Sequence, residues 1–420
     1  MANGMITGDW AAAVQLHGGD RYRNHVKLDF SVNTNPLGMP EYVREALQKA
    51  VCGSADLWEW YPDPACVGLR ESIASYHHIA KEWILCGNGA SELITAAVHA
   101  CSMYARGDAS KPGGERNACQ EERSAPRIVL PVPSFIEYER AATASGAECV
   151  YHYLNREKGF SLTETVLEKL TPDTDMLFLC NPNNPTGSLI SEELLHRILK
   201  HCREYNITVL LDECFLELCA PESGTQSSDM PEAAAAKGRF DAQPDKENTI
   251  DCAVRAGKLA SEYPNLIVLK AFTKLYAMPG MRLGYCICTD RTLRERIREQ
   301  LPCWNVSGIA QFAGMTVLDS EKRIDYISQS KHMIQKERDW LTEKLRMPGI
   351  RAVPGRANFI CFHADPRFYH NLYETLLKKG ILIRDCSGFR GMESGWYRIA
   401  VRPHEENEEL IETIRCRMPV

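Results

Sequence analysis

The chain has 420 residues, 44% of them hydrophobic, 25% charged and 8% aromatic, which leaves room for two or three domains and a sizeable core. Lysine and arginine number 49 against 55 aspartate and glutamate, a formal net charge of −6; this excludes nucleic-acid binding by bulk charge and requires any anion to be gripped locally. No apolar run approaches the ~18 residues of a membrane span, and the start MANGMITGDW lacks a basic and then apolar leader pattern, so a cytoplasmic protein without membrane or nucleic-acid partner is expected.

In chain order, residues 1–54 read as a segment that joins a smaller downstream domain and the active site. Short β-branched runs then recur at 127–133, 148–154, 176–182, 207–213, 266–272 and 284–290, with helical spacing between most of them, for example at 135–145 and 191–205. Continuous apolar strands alternating with helices predict a mostly parallel sheet covered on both faces. An α/β domain over 55–300 follows, interrupted by two Gly-, Pro-, Ser- and charge-rich surface insertions of low order at 106–125 and 220–250. A helical stretch at 307–345, three shorter strands and helical patterns at 367–379 and 404–417 predict a smaller α+β domain over 301–420. The 17 cysteines include many in apolar runs; Cys286 and Cys288 share a strand face but have no C-x-x-C or Cys/His second half, so reduced structural thiols are expected and no metal site.

Four motifs carry chemistry. Lys274 follows the strand LIVLKAF, with Thr273 before it and Arg282 eight residues on. In a loop such a lysine is often simply solvated; among apolar neighbours, desolvation frees its amine for Schiff-base chemistry. Cys86-Gly-Asn-Gly-Ala-Ser91 opens a helical pattern, either as plain capping or as an anion cradle of backbone N–H groups at a helix start. Asn181-Pro-Asn-Asn-Pro-Thr-Gly187 ends one strand and Asp212 another; both suit turns and caps, and an aspartate there equally holds a ring nitrogen protonated. A lysine, a phosphate cradle, a carboxylate for a cation and an Asn donor together match the needs of pyridoxal phosphate.

In this order the motifs G-N-G-A-S, N-P-N-N-P-T-G, D-E-C-F and T-K-L-Y-A-M-P-G-M-R-L-G-Y resemble the fold-type I pyridoxal 5'-phosphate enzymes, the class I and II aminotransferase family. The resemblance spans most of the chain outside the two insertions. It implies a large cofactor-binding α/β domain and a homodimer with shared sites. Carried over motif by motif, it implies Lys274 as the covalent cofactor residue, Asp212 at the ring nitrogen and Asn184 at the ring hydroxyl. It implies Ala90, Ser91, Thr273 and Arg282 around the cofactor phosphate, Phe135 stacked on the ring and Tyr61 reaching the neighbouring subunit's phosphate. Many relatives have a tyrosine where this chain has Phe215.

Further stretches, His17-Gly-Gly-Asp20, Asp29-Phe-Ser-Val-Asn-Thr-Asn-Pro-Leu-Gly38, Ile383-Arg-Asp-Cys386 and Trp396-Tyr-Arg-Ile-Ala-Val-Arg402, resemble the threonine-phosphate decarboxylase branch, which also has phenylalanine at the Phe215 position, although Asp20 stands where an asparagine is expected. That branch implies decarboxylation of O-phospho-L-threonine for the cobalamin nucleotide loop. Arg398 and Asn184 would then hold the substrate carboxylate, and Arg384, His17, Gly18 and Asn33 its phosphate. From the residues alone, Arg384 and Arg398 lie fourteen positions apart in neighbouring strand-like runs; they present two guanidinium forks to one cleft or sit in surface ion pairs, and His17 caps a loop or meets an anion. The alternatives are a histidinol-phosphate aminotransferase, a phosphoserine decarboxylase, a transcription regulator lacking any visible helix-turn-helix pattern, and a pseudoenzyme that keeps Lys274, Asp212 and Arg282.

Overall fold

The computed structural model describes residues 18–21, 24, 26–53, 56–105, 125–219 and 246–416. His17, most of the 106–125 insertion and residues 220–245 lie outside the described residues. The backbone is already helical from Lys246, in the helix Lys246–Glu262, so the low-order reading of 220–250 runs too far.

The strands in chain order are β1 (Leu28–Asp29), β2 (Ile84–Gly87), β3 (Arg127–Val132), β4 (Glu148–Tyr153), β5 (Met176–Cys180), β6 (Thr208–Asp212), β7 (Leu266–Ala271), β8 (Gly284–Ile287), β9 (Ile350–Ala352), β10 (Phe359–Ala364), β11 (Ile381–Leu382), β12 (Arg384–Asp385) and β13 (Trp396–Ala400). Seven of them form one sheet in the order β2-β8-β7-β6-β5-β3-β4. β3 through β7 pair in parallel, and β8 runs antiparallel to both β7 and β2. The predicted mostly parallel sheet is therefore present, with β2, too short for a periodic signal, added at its edge.

Strand side chains alternate between the two faces. Leu177, Leu179, Val209, Leu211, Leu266 and Val268 join one core with the helices Val67–His77, Glu192–Glu204 and Lys246–Glu262. Met176, Phe178, Cys180, Leu210, Ile267 and Leu269 join a second core with the helices Ala90–Ala105 and Ile136–Ala144. Because both faces are dry, these strands read as unbroken apolar runs. The helix Glu192–Glu204 shows the matching logic: Ser191 caps its start by accepting from Leu194 N, and Leu194, Leu195, Ile198, Leu199 and Cys202 form its buried stripe.

A second, antiparallel sheet has the order β12-β13-β10-β9. β1 pairs in parallel with β11, and Leu28 and Phe30 enter the core of this smaller unit beside Phe362 and Ile399. One helix that follows residue 300 packs on the large sheet's side. Helix Gly308–Asp319 buries Ala310, Ala313 and Val317 with Leu69 and Ile73 in a core of the large sheet, since its neighbour is the helix Val67–His77 rather than the small sheet. No described helix is long and apolar enough to cross a membrane.

Candidate active site

A cleft of about 320 Å³ opens between the carboxyl ends of β5, β6 and β7 and the small antiparallel sheet, where open α/β sheets hold ligands. Among the described residues its charged lining consists of Lys274, Arg282, Arg384 and Arg398 against one carboxylate, Asp212, so an acidic chain presents a strongly cationic cleft.

Asp212 is the last residue of β6 and is buried. Its Oδ2 accepts from the Tyr138 hydroxyl at 2.7 Å and its Oδ1 from Cys214 N at 2.9 Å, which fixes the carboxylate plane. Lys274 sits in the short helix Phe272–Leu275 directly after β7. Burial, and next the charge of Arg398, pull its amine down from 10.5 to about 8. The Lys274 carbonyl accepts from Asn35 N at 3.1 Å, and Nζ lies 5.5 Å from the centre of the Phe215 ring.

The phosphate-cradle candidates assemble on the large-sheet wall. Ala90 and Ser91 begin the helix Ala90–Ala105, and Thr273 is buried beside Lys274. Arg282, with φ of 53°, folds over Gly89, whose φ is +84°; a Cβ at Gly89 would lie 2.7 Å from Arg282 Nη2, and one at Gly284 would lie 2.9 Å from Ala90 N. Only glycine allows this approach of guanidinium and backbone N–H groups. Phe135 closes the cleft on the same side and packs edge-on against Tyr138 at 5.6 Å.

Gly18, Asn33, Arg384 and Arg398 line the opposite wall, with Asn184 between. Arg398 is buried; its Nη1 donates to Asn184 Oδ1 and its Nη2 to Ser31 O at 2.8 Å. With the Asn33 amide oxygen turned toward it, Oδ1 accepts from Arg398 Nε at 3.2 Å and Nη1 at 3.1 Å. These partners are neutral oxygens, and burial lowers the guanidinium to about 10. Arg384 stacks on Phe389 at 5.2 Å and is also lowered by burial.

Tyr61 stands apart: 79% exposed and outside the cleft lining, it stacks on Trp304 with ring centres 4.5 Å apart. His17 lies outside the described residues, while its neighbour Gly18 is in the cleft wall. Sequence reasoning missed Tyr138, Ser31 and Phe389. Tyr138 lies one helical turn past Phe135, a spacing that puts both on one face; Ser31 meets Arg398 through its carbonyl and Gly19 N through its hydroxyl, long-range contacts that a local reading of the sequence does not signal.

The family model for class I and II aminotransferases matches residues 25–414. The chain belongs to that family. Within it, this aminotransferase-family chain is 33% identical over 389 residues to the threonine-phosphate decarboxylase of Salmonella typhimurium, covering 92% of this chain and 90% of that protein. It is 30% identical over 393 residues to an adenosylcobalamin biosynthesis bifunctional protein of Leptospira interrogans, covering 92% of this chain and 38% of that one. The crystal structure of the histidinol-phosphate aminotransferase from Clostridium acetobutylicum superposes with a TM-score of 0.73 at 27% identity, over 93% of this chain and 98% of that chain.

Proposed function

We propose that this chain is a pyridoxal 5'-phosphate-dependent carboxy-lyase that converts O-phospho-L-threonine to (R)-1-amino-2-propanol O-phosphate and CO2, for the cobalamin nucleotide loop. The observation that carries the reading is Arg384 paired directly with Arg398 across the β12–β13 ladder, both lining the cleft that holds Lys274 and Asp212. A substrate with a carboxylate at one end and a phosphate at the other matches two guanidinium forks. The similarity to the Salmonella decarboxylase supports the same choice.

The residues fit the cofactor. The Gly89 and Gly284 contacts leave open backbone beneath Arg282 for a phosphate, and Asp212, held by two donors, is placed to keep a pyridine nitrogen protonated. When bound, pyridoxal phosphate supplies the electron sink that accepts the electron pair left at the substrate Cα. Lys274, at about 8 rather than 10.5, is neutral in roughly a tenth of molecules at pH 7, which makes its amine a nucleophile for an aldehyde and a carrier of the proton that replaces the lost carboxylate at Cα. Arg398, assisted by Asn184, orients the α-carboxylate, and Arg384 with Asn33 and the Gly18 main chain holds the phosphate. Phe215 occupies the place of a tyrosine donor and packs edge-on against Phe359 at 5.2 Å. The exposed Tyr61 and Trp304 are the contact through which a second copy completes the site.

Purified protein loaded with pyridoxal phosphate is incubated with O-phospho-L-threonine and no keto acid. Catalytic CO2 together with aminopropanol phosphate is expected. Keto-acid-dependent turnover of histidinol phosphate without CO2 overturns the reading, and preferential CO2 release from O-phospho-L-serine changes the substrate.

A further inference from the structure

The stretch that enters the cleft from β1 is woven into the small sheet. Phe30 N donates to Leu382 O at 2.7 Å and Phe30 O accepts from Ala400 N at 2.8 Å, so the next residue, Ser31, leaves the sheet in a fixed place, 1% exposed. Asp29 Oδ1 accepts both from Ser31 N at 2.9 Å and from the Ser31 hydroxyl at 2.6 Å. A hydroxyl has one proton. With that proton committed to Asp29, Ser31 Oγ is the acceptor toward Gly19 N at 2.8 Å. On its other side the Ser31 carbonyl accepts from Arg398 Nη2 at 2.8 Å.

One residue therefore touches both the buried arginine and the Gly18–Gly19 stretch at the cleft wall. The contact is closer than any side chain permits: a Cβ at Gly18 would lie 2.4 Å from Ser31 O, and Gly19 has φ of +89° with a Cβ position 2.9 Å from Val32 Cγ1. Gly19, the second glycine of the H-G-G-D stretch, is required by this fit.

We propose that Ser31, oriented by Asp29, is a positioning residue that pins the Gly18–Gly19 main chain against the Arg398 wall and thereby sets the affinity of the cleft for its phosphorylated substrate. In naming that substrate the inference rests on the function proposed above; the pinning itself does not. The hydroxyl that accepts from Gly19 N is itself held by Asp29, so Ser31→Ala removes the acceptor and Asp29→Ala removes what orients it.

The test uses the full-length protein and the Ser31→Ala and Asp29→Ala variants, with wild-type-like circular dichroism as the control for folding. Amide exchange of the peptide containing Gly19, measured by mass spectrometry without substrate, is expected to quicken at least tenfold in Ser31→Ala. In the cofactor-loaded enzyme KM for O-phospho-L-threonine is expected to rise about tenfold with kcat within twofold, and the double variant to be no worse than either single one. Unchanged exchange at Gly19 overturns the proposal whatever the substrate proves to be. Faster exchange with unchanged KM, or a loss confined to kcat, overturns the positioning role. A wild-type enzyme inert toward O-phospho-L-threonine refutes the function while the exchange result still decides the anchor.

Discussion

Arg384 and Arg398 are register partners across the β12–β13 ladder, and both line the cleft. Like charges directly opposed on one sheet face repel, and burial lowers both guanidinium groups, Arg398 to about 10. An anion placed between them would relieve both effects, which is the physical basis for the substrate-binding role proposed for the pair.

Exchanging Arg384 for Gln is expected to lower kcat/KM for O-phospho-L-threonine by about a hundredfold, the scale of one or two charge-assisted hydrogen bonds, with free L-threonine almost unaffected. Steady-state kinetics on both substrates check it; equal losses would remove Arg384 from the phosphate.

Lys274 gives a pH dependence. Its folded-state value of about 8 lies below the ordinary 10.5, so between these values the unfolded chain binds the extra proton and the stability of the cofactor-free protein rises with pH. Below pH 8 the buried ammonium costs the fold about 3 kcal/mol. Cofactor-free Lys274→Met is therefore expected to melt above the wild type at pH 7, with the gap closing by pH 10, while its decarboxylase activity is lost. A gap independent of pH would contradict the assignment.

Tyr138 donates to Asp212 Oδ2 at 2.7 Å. Tyr138→Phe leaves a buried carboxylate one donor short, and a drop of about tenfold in kcat is expected, with cofactor retention nearly intact. Asp212→Ala is expected to lose both turnover and cofactor, as read by absorbance after dialysis.

Gly89→Ala places a Cβ 2.7 Å from Arg282 Nη2 at a φ of +84°. Backbone strain of about 1–2 kcal/mol and displacement of the guanidinium are expected together. Titration with pyridoxal phosphate should show at least a tenfold weaker affinity, and an unchanged titration would place the cofactor phosphate elsewhere.

A shared-site dimer predicts complementation. Lys274→Ala and Tyr61→Ala homodimers are each expected to be impaired, whereas subunit exchange restores about a quarter of wild-type sites, since half of the random dimers carry one intact site. Additive, unrestored activity would place Tyr61 outside the neighbour's site.

The chemistry-bearing motifs were legible in the sequence because each lies next to an unmistakable local pattern. Lys274 and Asp212 end or follow apolar strands, and Gly87–Ser91 opens a helix. Strand ends of a parallel sheet all point to one edge, so local reading was enough to gather these residues. Tertiary structure alone decided what depends on register and long-range approach. A shift of one residue in β12 would turn Arg384 away from Arg398 and out of the cleft. The helix Gly308–Asp319 belongs with the large sheet only because Leu69 and Ile73 wait there to cover it. The contacts Tyr138 to Asp212, and Ser31 to both Gly19 and Arg398, join residues 74, 12 and 367 positions apart. Composition and periodicity report which face of its own element a side chain occupies; which partner meets that face is set only when the elements pack.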